Sequence, residues 1–244
     1  MIAYVKAENL KQRRTFLKKL LWLAPLMLVL LAFALMPAYF TVNAYNWWYV
    51  MLLPAIVALI PAMMHQKEAR YLNYRALYPL NVNLEKVWYA KILIAISYLC
   101  LAEILHLLGV FSGQLMLPRQ LTEPYSLISL TLASLVLLIT NLWQVPFCFF
   151  LAKKLGLVAS VVGNTILGIF LGLLFVESSW WLLCPYSWGM RAMIVMLNIL
   201  PNGIPLKSSL PMVNNVIFPC ILALLLFIVL SLVSGKWFSK QEVV

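Results

Sequence analysis

Six apolar runs set the limits on what this chain can become: roughly Leu20–Phe40, Trp47–Met64, Val87–Leu108, Ser126–Leu151, Leu157–Val176 and Val216–Ser234. Each is close to the ~17–25 residues that a helix needs to cross the hydrocarbon of a bilayer. Backbone groups in lipid must be satisfied within the segment, so runs of this length are expected as helices. Composition points the same way, at 64% hydrophobic residues, 10% charged residues and a mean hydropathy of +0.95. Soluble domains average about 45–50% apolar and about 25% charged residues. A chain of 244 residues has no interior large enough to hide the excess. The sequence predicts an all-α integral membrane protein with six transmembrane helices, residues 1–244 forming one transmembrane domain.

Charge predicts the orientation. Lys6, Lys11, Arg13, Arg14, Lys18 and Lys19 precede the first run; Lys67, Arg70, Arg75 and Lys86 follow the second; Lys153 and Lys154 follow the fourth; Lys236 and Lys240 close the chain. The other side receives only Arg119, Arg191 and Lys207. Cationic loops stay inside, so both termini are expected in the cytoplasm. The same clustering accounts for the net charge of +11 without a nucleic-acid partner. Trp47, Trp48, Tyr49, Trp88, Tyr89, Trp180, Trp181 and Trp237 fall at run edges, where interfacial aromatics are expected. The N-terminal apolar run exceeds the ~7–15 residues of a signal-peptide core, so it reads as a span rather than a cleaved leader.

Three segments lie outside the runs. Residues 1–19 carry Ile2, Val5, Phe16 and Leu17 among many cations, the pattern of an amphipathic helix on the inner membrane surface. Residues 65–86 begin HQKEARYLNYRALYPLNV; Ala69, Leu72 and Ala76 recur at helical spacing beside a stripe of Tyr71, Tyr74 and Tyr78, and Pro79 would end the helix. Such a helix can place rings in a partner's groove while its charges set register. Residues 177–215 contain WWLLCPYSWGMRAMIVMLNILPNG. Pro185 and Arg191 interrupt this stretch, and a seventh span would move Lys236 and Lys240 outside, so re-entrant or interfacial helices are expected.

Catalytic signatures are missing from the sequence. It has no Asp, no GxxxxGK[ST], no HExxH and no GxSxG. Cys100, Cys148, Cys184 and Cys220 form no CxxC pair, which argues against a disulfide framework or zinc site. Glu103 and His106 stand three apart in the third run, on one helix face, and are expected as a hydrogen-bonded pair facing other helices. A metal there would need further carboxylates that the chain lacks. Asn141, Gln144, Asn164 and Thr165 can bond across helices, Gly168 and Gly172 form a small-xxx-small stripe, and Pro54, Pro61 and Pro146 are candidate bends.

Taken together, the opening KAENLKQRRTFLKKLLWLAPL, the island EARYLNYRALYPLNVNLEKVWYAKIL and the segment PYSWGMRAMIVMLNILPNG resemble permease subunits of type-2 ABC exporters, in particular those of bacterial lantibiotic-immunity transporters. Many such permeases carry a glycine shortly after the Glu of the island, where this chain has Asn73 and Tyr74. The resemblance implies a permease in the bacterial cell membrane, joined to a second permease, the same or related, and to two copies of an ABC ATPase that binds ATP and Mg. Its work would be removal of lantibiotic-type antimicrobial peptides from the membrane, giving self-immunity; this chain would be no enzyme and would bind no cofactor. It further implies that Glu68, Arg70, Tyr71, Tyr74, Arg75 and Tyr78 belong to a coupling helix docked on the ATPase, and that Gly168 and Gly172 lie at the permease interface. Trp180, Trp181 and Trp188 would then meet the peptide on the outer side. Two other readings stand beside it: an ATP-independent membrane binder or scaffold that sequesters the peptide, and an ion-coupled transporter using Glu103 and His106.

Overall fold

The structure is a computed structural model that describes residues 1–72, 82–118, 125–206 and 216–241, with only the backbone of Tyr71 and Leu72. The described residues are helical apart from short turns and one isolated antiparallel bridge, Ile199 to Pro205. Among the described residues, nine α-helices follow in order: α1 Ile2–Lys11, α2 Phe16–Leu35, α3 Phe40–Trp47, α4 Leu53–Leu72, α5 Leu84–Met116, α6 Leu127–Asn141, α7 Gln144–Phe175, α8 Ser187–Leu197 and α9 Ile217–Ser239.

Among the described residues, five helical stretches are long and apolar enough to cross a membrane: Phe16–Leu35, Pro37–Arg70, Leu84–Met116, Gln144–Phe175 and Ile217–Ser239. This is the architecture of a multi-pass membrane protein. The second stretch begins ten residues earlier than hydropathy suggests, at Pro37 rather than Trp47. Its polar residues find partners inside the fold: Thr41 donates to Gln114 at 3.2 Å, and Asn46 donates to the carbonyls of Leu200 and Pro201 at 3.1 and 2.9 Å. Midway, Trp48–Leu52 forms a π turn between α3 and α4. Pro54 has no N–H to give to the carbonyl four residues back, and the helix widens immediately before it.

The fourth and fifth apolar runs are arranged as one rod and one return. Only Leu142 and Trp143 separate α6 from α7, and both keep right-handed helical backbone angles. Gly156 interrupts α7 with φ 85° and ψ 177°. In a straight helix Gln144 and Asn164 would stand ~30 Å apart. Instead Asn164 donates to Gln144 at 2.8 Å, and Ser160 donates to the Cys148 carbonyl at 3.3 Å. The limbs 144–155 and 157–175 therefore lie antiparallel, hinged at Gly156.

The centre of the molecule is α5, which packs against α1, α2, α3, α4, α6, α7 and α9. Asn83 starts it by accepting a hydrogen bond from the Lys86 amide at 2.9 Å, with Glu85 in the first turn where negative charge suits the helix dipole. Trp48 and Trp88, expected at membrane interfaces, are buried: Trp88 stacks on Phe238 at 4.6 Å and donates to Ser234 at 2.9 Å.

The segment before the first span is not one surface helix over residues 1–19. α1 ends at Lys11, and Arg14, at φ 63°, turns the chain into α2. α1 lies against α5 with Glu8 as its buried residue, while Ile2 and Leu10 are exposed. At the other end of the chain's long connections, α8 has 11 residues, too few to span a bilayer. It is buried on nearly every side and ends at Asn198 in the left-handed conformation. Burial on all sides does not suit a helix lying in an interface, which must keep a polar face in water.

Candidate functional site

Two clusters of chemistry-bearing side chains occupy different levels of α5. The first joins α1, α4 and α5. Lys11 reaches Glu8 at 2.6 Å and Glu68 at 2.7 Å; Lys91 reaches Glu8 at 3.1 Å and Glu68 at 2.5 Å. The result is a closed ring in which each carboxylate meets two ammonium groups and each ammonium two carboxylates. Lys91 and Glu8 are almost wholly buried, Glu68 mostly so, and Lys11 is the open corner. Ion pairs out of water hold only if geometry and hydrogen bonding offset desolvation, and alternation of sign provides both. Burial pulls the Lys11 ammonium down, but the charges of Glu68 and Glu8 outweigh it and hold the group above the ordinary lysine range. Around the ring, Lys67 donates to the Lys11 carbonyl, Tyr98 donates to Asn9 at 3.2 Å, and the Asn83 amide donates to the Tyr4 hydroxyl at 3.3 Å. The first α-helix is thus fixed mainly by polar contacts.

The second cluster lies deeper along α5. Glu103 and His106 do share a face, but they do not bond to each other; each takes a partner from the neighbouring helix. Trp48 donates its indole N–H to Glu103 Oε1 at 3.1 Å. His106 Nε2 lies 3.2 Å from the Ala44 carbonyl, and its ring stacks on Trp48 with centroids 4.5 Å apart and planes 9° apart. Tyr45 meets the imidazole edge-on at 5.0 Å, its hydroxyl bound to the Leu130 carbonyl and to Ser134. Glu103 Oε2 and His106 Nδ1 are buried with no hydrogen-bond partner.

A third set of polar groups knits the hinged helix to its surroundings. Gln144 donates to Asn141 at 2.6 Å, Asn164 donates to Gln144 and to the Pro54 carbonyl, and Tyr186 donates to Asn164 at 3.0 Å. Thr165, in contrast, bonds only to its own helix, at the Val161 carbonyl. Arg191 is explained by the end of α7: its Nη1 donates to the Val176 carbonyl at 2.7 Å, and its guanidinium lies 4.7 Å from the Trp181 ring. A cation there meets the negative end of the helix dipole.

The residues singled out in the sequence fall in different places. Glu68 points into the ion-pair ring, and Arg70 is exposed one half-turn further on. Tyr71 belongs to the last turn of α4, while Tyr74, Arg75 and Tyr78 lie outside the described residues. Gly168 and Gly172 do permit close approach, but within the chain. A Cβ at Gly168 would stand 3.0 Å from Pro54, and one at Gly172 2.6 Å from the Met190 methyl. The exposed side of the same limb carries Ile166, Leu167, Phe170, Leu173 and Leu174. Of the three tryptophans, Trp180 is exposed, Trp181 is half-buried under Arg191, and Trp188 is buried with its indole N–H on the Leu182 carbonyl. The free cysteines are dispersed, and the described residues contain no group of three metal-ligating side chains.

The ion-pair ring was the main omission of sequence reasoning. Its three helices are distant in the chain, and each charge has a simpler local explanation as a flanking charge. The signal that was available is Lys91, a lone cation one turn inside an apolar run, which needs a carboxylate wherever the fold can supply one. Comparison of the chain with known protein families, with curated proteins and with solved structures gives no match.

Proposed function

We propose that this chain is the permease subunit of an ATP-driven exporter that removes lantibiotic-type antimicrobial peptides from the membrane of the cell that makes them. In this reading the chain crosses the bacterial cell membrane six times, with both termini in the cytoplasm. Residues 127–155 and 157–175 count as separate crossings because the chain reverses at Gly156. ATP and Mg act on a separate pair of ATPase subunits, and a second permease, the same or related, completes the complex.

The observation that carries the reading is the position of Glu68. The island that follows it is where the resemblance places contact with the ATPase, and Glu68 is bound to Lys11 of α1 and Lys91 of α5. A force applied at the island would therefore act on three helices together rather than on one loop. Movement of packed helices between two discrete arrangements is how such forces reach a distant face. The exposed row Ile166, Phe170 and Leu173 offers an apolar face for the second permease, and Trp180, exposed in the connection before α8, offers an indole to a peptide.

The test is co-purification in mild detergent with a lone ABC ATPase encoded beside this gene, followed by peptide protection in cells. Retention of the ATPase, and loss of protection when its catalytic residue is replaced, are expected. A chain that never retains an ATPase and still protects would be a sequestering protein instead.

A further inference from the structure

The orphaned atoms of Glu103 and His106 have chemistry that the rest of the cluster defines. A backbone carbonyl can only accept, so the His106 Nε2 facing Ala44 is the N–H end of the ring. In a neutral imidazole the other nitrogen, Nδ1, is then a bare acceptor. An indole N–H can only donate, so the Glu103 Oε1 facing Trp48 is the accepting oxygen, and Oε2 is where a carboxyl proton would sit. With a proton on Glu103, one orphan is a donor in need of an acceptor, and the other an acceptor in need of a donor. They stand one helical turn apart on the same face of α5.

The neighbours leave this pair to itself. Tyr45, facing it from α3, has its hydroxyl committed to Leu130 and Ser134. Tyr49, in the π turn, donates to the Ile199 carbonyl. Cys100 precedes Glu103 by one turn of α5. Among the described residues, no ion pair involves Glu103. A bare carboxylate buried without a cation carries a desolvation cost that one indole donor does not offset, which favours a proton on the pair.

We propose that Glu103 and His106 form an intramembrane proton-binding site, one proton being shared between Glu103 Oε2 and His106 Nδ1 directly or through one water. When the proton moves, the O–H bond of Glu103 breaks and an N–H bond forms on His106, giving a carboxylate and an imidazolium with no change in total charge. Trp48 supports both forms. Its N–H stabilises the carboxylate, and its parallel ring face lies against the imidazolium as a cation–π partner. Trp48 opens the π turn, the irregular stretch of this helix, so the proton's position bears on the part of the span most able to change its winding. The site is independent of any ATPase partner.

Infrared spectroscopy of the full chain in lipid vesicles tests this. A protonated-carboxyl stretch that shifts in D2O, vanishes in Glu103→Gln and changes frequency in His106→Phe is expected. Histidine NMR of the unmodified protein, with ¹⁵N label, should show the tautomer protonated at Nε2, and this holds even if His106→Phe fails to fold. A carboxylate band together with a doubly protonated His106 supports the same site with the proton on the ring. A carboxylate beside a neutral imidazole overturns the proposal, and so does a carboxyl band indifferent to His106→Phe.

Discussion

Lys91 and Glu103 sit on the same helix, about three turns apart, and their surroundings solve the same problem in opposite ways. Lys91 is buried among charges of the other sign, and every acid in that ring has two bases. Glu103 is buried among aromatic rings and one indole donor, with half of its carboxyl unpartnered. The ring is assembled from three helices and is complete in itself, which suits a joint. The deeper cluster is satisfied only in part, and partial satisfaction is what a site that exchanges something requires. Burial of an ionisable group is therefore not a sign of function by itself; the pairing decides between a fastener and a site.

The contrast can be broken first at the ring. Lys91→Met takes from Glu8 and Glu68 their buried ammonium partner and leaves the half-exposed Lys11 in ion-pair contact with both, and a buried pair deprived of one partner loses about 3–5 kcal/mol. A large fall in thermal unfolding temperature in mild detergent is expected. Inverting all four charges together, as Glu8→Lys, Lys11→Glu, Glu68→Lys and Lys91→Glu, restores alternation and should recover most of the loss. No recovery would mean that the ring's signs, and not only its pairing, matter to its neighbours.

Trp48→Phe acts on the deeper cluster. It removes the indole donor to Glu103 while keeping an aromatic face near His106, and stranding a buried acceptor costs about 1–3 kcal/mol. The same thermal assay reads it, and an unchanged midpoint would show that Glu103 finds another donor. Glu103→Gln should do less, within about 1 kcal/mol, because an amide oxygen can accept from the indole as the carboxyl does. Normal insertion and assembly of that variant are expected; failure to assemble would place a full negative charge in the resting site.

The smallest effect concerns pH. Lys11 is held above the ordinary lysine range in the folded chain, so its contribution is complete at neutral pH and fades only as pH rises through the folded value. A spin label on Lys6→Cys should therefore report a docked α1 at neutral and mildly alkaline pH, with mobility rising only in strong alkali. Release near neutrality would show that the ring does not hold this helix.

Much of the architecture was legible because hydropathy is local. The apolar runs mark the helices, and the interruptions at Pro185 and Arg191 correctly argued against a full span, since α8 is short. What was hidden depends on distant partners. Thr41 and Asn46 fall between the first two apolar runs, yet they are buried against Gln114, Leu200 and Pro201. Glu68 is assigned by the resemblance to a docking helix, and its ring partners Lys11 and Lys91 are too far from it in sequence to be read as such. Glu103 and His106 were placed on the right face, yet spacing could not say that Trp48 and Ala44 would take the bonds expected between them. The small-residue stripe predicts close packing, and the resemblance assigns it to the permease interface; the close neighbours in the structure are within the chain, Pro54 and Met190.

Gly156 carries a consequence for how the molecule is made. No atom lies within 4 Å of a Cβ built there, so the position demands a backbone angle rather than space. As the chain emerges from the ribosome, the amide of Gln144 reaches lipid before Asn164 exists to bind it. A reversal of one residue brings that partner alongside with the next few turns of synthesis, long before α9 is available. The two limbs are thus best delivered to the bilayer as a unit, and a side chain at Gly156 would tax the birth of the protein more than its finished form.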